Sequence, residues 1–181
     1  FDVRQPMSLC SMIGESQVTS RGLEWTVEGS VKVDNKIVWS CISTMLHRCK
    51  TDIDRELKTP VMKEGAPQDW LVKSNMGRRY AKVSGDYNPI HLADVTAKLF
   101  GFKRAIVHGM WSKARCLAML TEHLPDDGYT VDVNFHRPLF LPSKVLFYTK
   151  QNWGQTQFSL FNQTGEHAHL EGSTSQDLTN A

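Results

Sequence analysis

Residues 80–91 read Y-A-K-V-S-G-D-Y-N-P-I-H, and some ten residues later the chain continues G-F-K-R-A-I-V over 101–107 and H-G-M-W over 108–111. Asn88 and Pro89 form a helix start, an N-cap residue with proline at the first helical position. The spacing of Leu92, Val95 and Leu99 then predicts a short helix that stops at Gly101. Asp86 and His91 flank that start, so the chain can fold over and bring both side chains to one spot near the helix N-terminus. The helix dipole there disfavours an imidazolium, which suits a histidine that exchanges protons with water near neutral pH. A second helix is expected from about 109 to 124. Met110, Ala114, Leu117 and Ala118 lie on its apolar side, and Pro125, Asp126, Asp127 and Gly128 close it.

Towards the C-terminus, Val131, Val133 and Phe135 alternate with Asp132, Asn134 and His136. The runs 145–149 and 156–161 are also β-rich, 162–165 is a turn, and a last strand is expected near 168–174. A helix followed by a meander of strands gives the α+β class, an antiparallel sheet wrapped around a central helix. Towards the N-terminus, Trp25, Val27, Val31 and Val33 alternate with polar residues up to a turn at Asp34 and Asn35, and a second β-rich run covers 37–44, which together predict a hairpin. Over 47–69 charges accumulate between Pro60, Gly65 and Pro67, as in a linker crossing the surface. The expected organisation is a partial β segment with linker over 1–60 and a second domain over 61–181. Phe1, Val3, Arg4 and Pro6 before the hairpin faintly echo Phe135, Arg137 and Pro138 before the closing strands, as if 1–50 were the tail of a second copy of one unit. Such a half-unit needs either upstream residues or a covering partner, and the start at Phe1 reads as a fragment of a longer product.

The chain of 181 residues is long enough for a real core, and its formal net charge of +2 spreads over scattered cations and anions, so nothing calls for a nucleic-acid partner. No apolar run reaches membrane-spanning length, and no basic-then-apolar leader opens the chain. Cys10, Cys41, Cys49 and Cys116 form no CxxC pair, which fits reduced thiols in a cytoplasmic protein. His167 and His169 lie two apart on one face of a strand, but without a Cys or carboxylate cluster they read as a surface pair, and no metal is expected.

Taken singly, each residue of the central stretch has an ordinary reading. Asp86 or Asn88 can be an N-cap, His91 a satisfied structural histidine, Ser84 and Gly85 a turn, Gly109 a close-packing glycine, and His108 and Trp111 core residues beside it. In this joint order, however, S-G-D-x-N-P-I-H with Ala97, G-F and H-G-M downstream resembles the signature of MaoC-like dehydratases and (R)-specific enoyl-CoA hydratases. The later V-x-V-x-F-x-R-P-L-F-L-P-S segment at 131–143 extends the likeness over roughly 70–181.

The resemblance implies a hot-dog fold, possibly the C-terminal part of a double hot-dog, with the Asp86–His91 segment overhanging an acyl tunnel. It further implies that Asp86 and His91 hold one catalytic water, that the Gly109 N–H binds the thioester oxygen, and that Ser84 and Asn88 support the loop. The implied activity is reversible syn addition of water to a trans-2-enoyl-CoA, giving an (R)-3-hydroxyacyl-CoA with no cofactor. Which of Asp86 and His91 gives and which takes each proton stays open. Phe102, Ile106, His108, Met110 and Trp111 are the candidates for acyl contact, and Lys103, Arg104, Lys113 or Arg137 for the coenzyme A phosphates. A homodimer is expected. A thioesterase or a non-catalytic acyl-CoA-binding module on the same fold are the alternatives.

Overall fold

Asp34 and Asn35, at φ 48° and 63°, close a two-residue turn whose left-handed backbone matches the twist of the strands it joins. The turn links β2 (Gly22–Val33) to β3 (Lys36–His47), and β1 (Ser8–Thr19) pairs antiparallel on the other edge of β2, giving the order β1-β2-β3. The sequence reading found the hairpin but not β1, whose alternation is blurred by serines and by a bulge between Ile13 and Ser16. The computed structural model describes residues 2, 4–54, 60–125 and 128–176, so Phe1, Val3, Asp126 and Asp127 lie outside the described residues.

The chain divides into two compact units, 1–59 and 60–181. In the first, cross-strand pairing sets Leu9 beside Val31 and Val31 beside Trp39, Ile13 beside Val27, and Trp25 beside Met45, so one face of the sheet is apolar.

In the second unit five antiparallel strands run in the order β4-β6-β7-β8-β5, with β4 Gln68–Val72, β5 Tyr129–Phe135, β6 Ser143–Asn152, β7 Gln155–Asn162 and β8 Ala168–Gln176. β4 was not foreseen, being only five residues long and beginning at the end of the stretch read as linker. Phe147, Leu160, Leu170 and Phe135 sit side by side across four strands. Val145, Phe147, Phe158, Leu160 and Leu170 meet Cys116 and Leu120 in one buried core. Full burial of side chains of this size stabilises by roughly 1.5–3 kcal/mol each before entropy is counted. This is the α+β arrangement expected, a helix against an antiparallel sheet. Part of the presumed linker also does more than cross the surface. Ser159 Oγ donates to the Met62 carbonyl, Lys63 Nζ donates to the Gly165 carbonyl at 3.0 Å, and Lys150 pairs with Glu64 at 2.8 Å, so residues 62–64 strap the sheet's other face.

The helices depart from expectation in three ways. An unforeseen helix, α1 (Met76–Ser84), precedes the motif and ends at Gly85, whose φ of 75° is the left-handed stop. The helix expected from Asn88 to Gly101 is two pieces, a 3-10 turn at Pro89–His91 and α2 (Asp94–Leu99), because extended Ala93 interrupts it. The central helix α3 is Gly109–Met119 rather than reaching residue 124, and a 3-10 turn at Thr121–His123 follows. Its buried side is Ser112, Cys116 and Leu120, whereas Met110, Ala114 and Ala118 are exposed. Of the apolar stripe read from the sequence, only Leu117 packs against the core, so the side that seats the helix is offset from that stripe.

Candidate active site

Local hydrogen bonds shape the loop between α1 and the 3-10 turn. Ser84 Oγ donates to the Tyr80 carbonyl at 3.0 Å and accepts the Asp86 N–H at 3.2 Å. Asp86 Oδ1 then accepts the Asn88 N–H at 3.0 Å, and Asn88 Oδ1 accepts the Ile90 N–H at 3.3 Å, capping the 3-10 turn. These are side-chain turns of the kind aspartate and asparagine favour. They leave Asp86 Oδ2 free on a side chain that is 53% exposed.

His91 is held more firmly. Its Nδ1 faces the Ile106 carbonyl at 2.8 Å, and a carbonyl only accepts, so Nδ1 carries the proton and Nε2 presents a lone pair. The Ile106 N–H in turn donates to the Ile90 carbonyl at 3.1 Å, bracketing the turn from both sides. Ile106 is fixed by an isolated bridge to Phe140, with the Val107 N–H on the Leu139 carbonyl and the Leu141 N–H on the Ala105 carbonyl. The helix α1 closes the far side. A Cβ on Gly77 would collide with the His91 carbonyl oxygen, so glycine alone permits this approach.

His91 Nε2 stands 4.0 Å from Asp86 Oδ2. That is too long for a direct hydrogen bond, yet two acceptors at this separation can both reach one water at ordinary distances. Burial lowers the His91 pKa below its ordinary value; the Ile106 carbonyl opposes the shift, nearby His108 adds to it and Asp86 opposes it. The imidazole therefore keeps its lone pair at neutral pH.

Gly109 is the first residue of α3, so its N–H has no acceptor within the helix and points out at the positive end of the dipole. A Cβ there would come within 3.1 Å of the Phe135 ring, so a glycine also fits this contact with β5. His108, the residue before it, is 3% exposed. Its Nε2 donates to the Asp86 carbonyl at 2.9 Å, and its ring stacks on His91 with centroids 3.7 Å apart.

Of the acyl-contact candidates, Ile106 and His108 are buried, Phe102 and Trp111 are partly buried, and Met110 is 56% exposed. Lys103, Arg104 and Arg137 are exposed and Lys113 is partly buried, with Arg104 lying over the Phe140 ring at 5.9 Å. His169 is no plain surface histidine. Its Nδ1 donates to the Arg137 carbonyl at 3.0 Å, and burial lowers its pKa. Asp86, His91 and His108 each offer a ligand atom within 4.8 Å of the others, but a cation bound through His108 Nε2 would have to displace the Asp86 carbonyl. Two open grooves of about 290 and 280 Å³ are lined elsewhere, the first by Asp132, Gln157 and Glu171 among others, the second by His123, Gln151 and Thr174 among others. The sequence reading missed the Ile106 carbonyl and Gly77, and it gave Tyr80, whose ring stands edge-on to His108 at 5.0 Å, no role of its own. A backbone carbonyl and a glycine do not belong to the residue classes that mark chemistry.

The model of the MaoC-like domain family matches residues 49–169. The 3-hydroxyacyl-thioester dehydratase X of Mycobacterium tuberculosis is 34% identical over 154 residues, covering 83% of this chain and 55% of that protein. The (R)-specific enoyl-CoA hydratase of Aeromonas caviae is 33% identical over 69 residues, covering 36% of this chain and 52% of that protein. The chain thus spans about half the length of these curated relatives. The crystal structure of HtdX from M. tuberculosis superimposes with a TM-score of 0.80 at 31% identity, over 94% of this chain and 69% of that one.

Proposed function

Because the chain belongs to the MaoC-like dehydratase family and carries its hot-dog fold, we propose that it adds water reversibly across the double bond of a trans-2-enoyl thioester, giving the (R)-3-hydroxyacyl product. The observation that carries this reading is the pair of acceptors, His91 Nε2 and Asp86 Oδ2, 4.0 Å apart with the histidine proton committed to Ile106. A water held by both is oriented by two lone pairs. As its oxygen attacks C3, one of the pair takes a proton from the water, and that proton is passed on to C2 from the same face, which gives syn addition and returns the pair to its starting state.

Attack at C3 drives charge onto the thioester oxygen. The Gly109 N–H stabilises that charge best, because a fixed donor at a helix N-terminus needs no reorganisation when the charge appears. Loss of one such donor typically costs on the order of 100- to 1000-fold in rate. The reaction calls on no cofactor. Coenzyme A is the proposed carrier, with the exposed Lys103 and Arg104 as partners for its phosphates. The proposed assembly is a homodimer.

The test is the ultraviolet absorbance of crotonyl-CoA mixed with the protein, with Asp86→Asn and His91→Ala in parallel and free coenzyme A assayed in the same tubes. Loss of absorbance without release of coenzyme A, absent in both variants, is the expected result. Release of coenzyme A would make the protein a thioesterase, and a folded protein inert on several chain lengths would make it a binding module.

A further inference from the structure

We propose that His108 is a positioning residue for the hydration reaction, tying the water-holding pair to the donor of the oxyanion site. This inference rests on the function proposed above. His108 makes three contacts inward. Its Nε2–H holds the backbone carbonyl of Asp86 at 2.9 Å, its ring stacks on His91 at 3.7 Å, and Tyr80 of α1 stands edge-on behind it at 5.0 Å. Its own backbone, extended at φ −61° and ψ 136°, leads straight into the Gly109 N–H. The peptide between residues 108 and 109 therefore carries the donor, while the side chain on the same residue grips the loop that carries the acid. Asp86 and Gly109 are 23 residues apart in sequence, and this one side chain links them directly.

A phenyl ring would fill the same space without a polar atom to satisfy. The ring here has a buried Nδ1 that finds no partner among the described residues. Leaving a buried nitrogen unpartnered is unfavourable, so an imidazole at this position is explained only if its other nitrogen is needed. Nε2 is also 3.7 Å from Asp86 Oδ2, too far for a direct hydrogen bond, so its donor is committed to the backbone carbonyl. The groups facing His91 are Asp86 from the loop after α1 and His108 from the segment before α3, with the Ile106 carbonyl on Nδ1.

Two substitutions separate the clamp from mere filling. His108→Phe keeps a ring and removes the donor, whereas His108→Gln keeps an N–H donor at similar reach and removes the ring. With wild-type crotonyl-CoA hydration established, His108→Phe is expected to lose on the order of 10- to 100-fold in kcat, the scale of a misplaced reacting group, with KM changed less than about threefold. His108→Gln is expected to recover most of that loss. In histidine-resolved NMR the wild-type His108 Nε2–H should be protected from exchange. Wild-type kcat in His108→Phe, equal damage in both variants, or a freely exchanging Nε2–H overturns the proposal. Failure of the function itself shows differently, as wild-type protein that leaves crotonyl-CoA unchanged; the protected Nε2–H then still judges the clamp.

Discussion

At the scale of single residues, His91 ties acidity to both activity and stability. Its pKa is lowered mainly by burial, so in the folded chain it takes up a proton only at a pH below its ordinary 6.5. The unfolded chain binds that proton first, and stability therefore rises with pH across the interval between the folded value and 6.5. The contribution is fully present above 6.5 and is lost as pH falls through the folded value. The acidic limb of kcat/KM for hydration is expected below pH 6.5, and urea midpoints are expected to fall over the same interval in wild type but less in His91→Ala. An acidic limb above 6.5 would contradict the burial account. Cys116 offers a simpler check. Burial pushes its thiol up to about 12, so alkylation at pH 8 should label the exposed Cys10 and Cys49 and reach Cys116 only on unfolding. The Asp86–His91 pairing was legible because a proline-started turn between two titratable residues is a local event. The contacts of His91 with Ile106 and of His108 with Asp86 span 15 and 22 residues, and no local pattern encodes a side chain meeting a distant carbonyl.

At the scale of elements, the strands after α3 were readable because half-buried strands alternate, and alternation survives in sequence. Of the helices, α2 and α3 were found with their ends misplaced, and α1 was missed. α1 carries Arg78, Arg79 and Lys82 and buries Gly77 and Ala81, with Met76 and Tyr80 partly buried beside them, so its closest contacts are made by small residues among charged ones. That face makes the sharpest test of how the site is held. Gly77→Ala drives a methyl group into the His91 carbonyl, and either α1 or the 3-10 turn must shift. The expected cost is about 1–3 kcal/mol of stability, with a fall in kcat because His91 moves. Gly101→Ala is the control. Its φ of 83° strains an alanine by about 1–2 kcal/mol, but nothing lies within 4 Å of the added Cβ, so kcat should hold. Equal loss of kcat in both variants would mean that general destabilisation, rather than displacement of His91, governs the rate.

At the scale of the whole molecule, the two units differ in what they bury. Among the described residues, every buried apolar side chain belongs to the 60–181 unit, beginning at Val72. In the 1–59 unit, among the described residues, Leu9 and Ile13 are each 81% exposed, and Val18, Trp39 and Met45 are also exposed on the same sheet face. The faint echo between the chain's start and its closing strands raised the expectation of an uncovered sheet face, because a sheet without a helix has nothing on which to lay its apolar side. Exposed apolar side chains gathered on one face of a sheet favour association through that face. The 181-residue chain is therefore expected to associate with rising concentration in sedimentation velocity and to enhance the fluorescence of an apolar dye. Leu9→Lys with Ile13→Lys should suppress both signals while leaving crotonyl-CoA turnover within about twofold, since neither residue belongs to the unit that holds Asp86 and His91. A chain that stays monomeric and dark to the dye would mean that this face is covered in solution. Loss of turnover in the double variant would mean that the two units act together in catalysis.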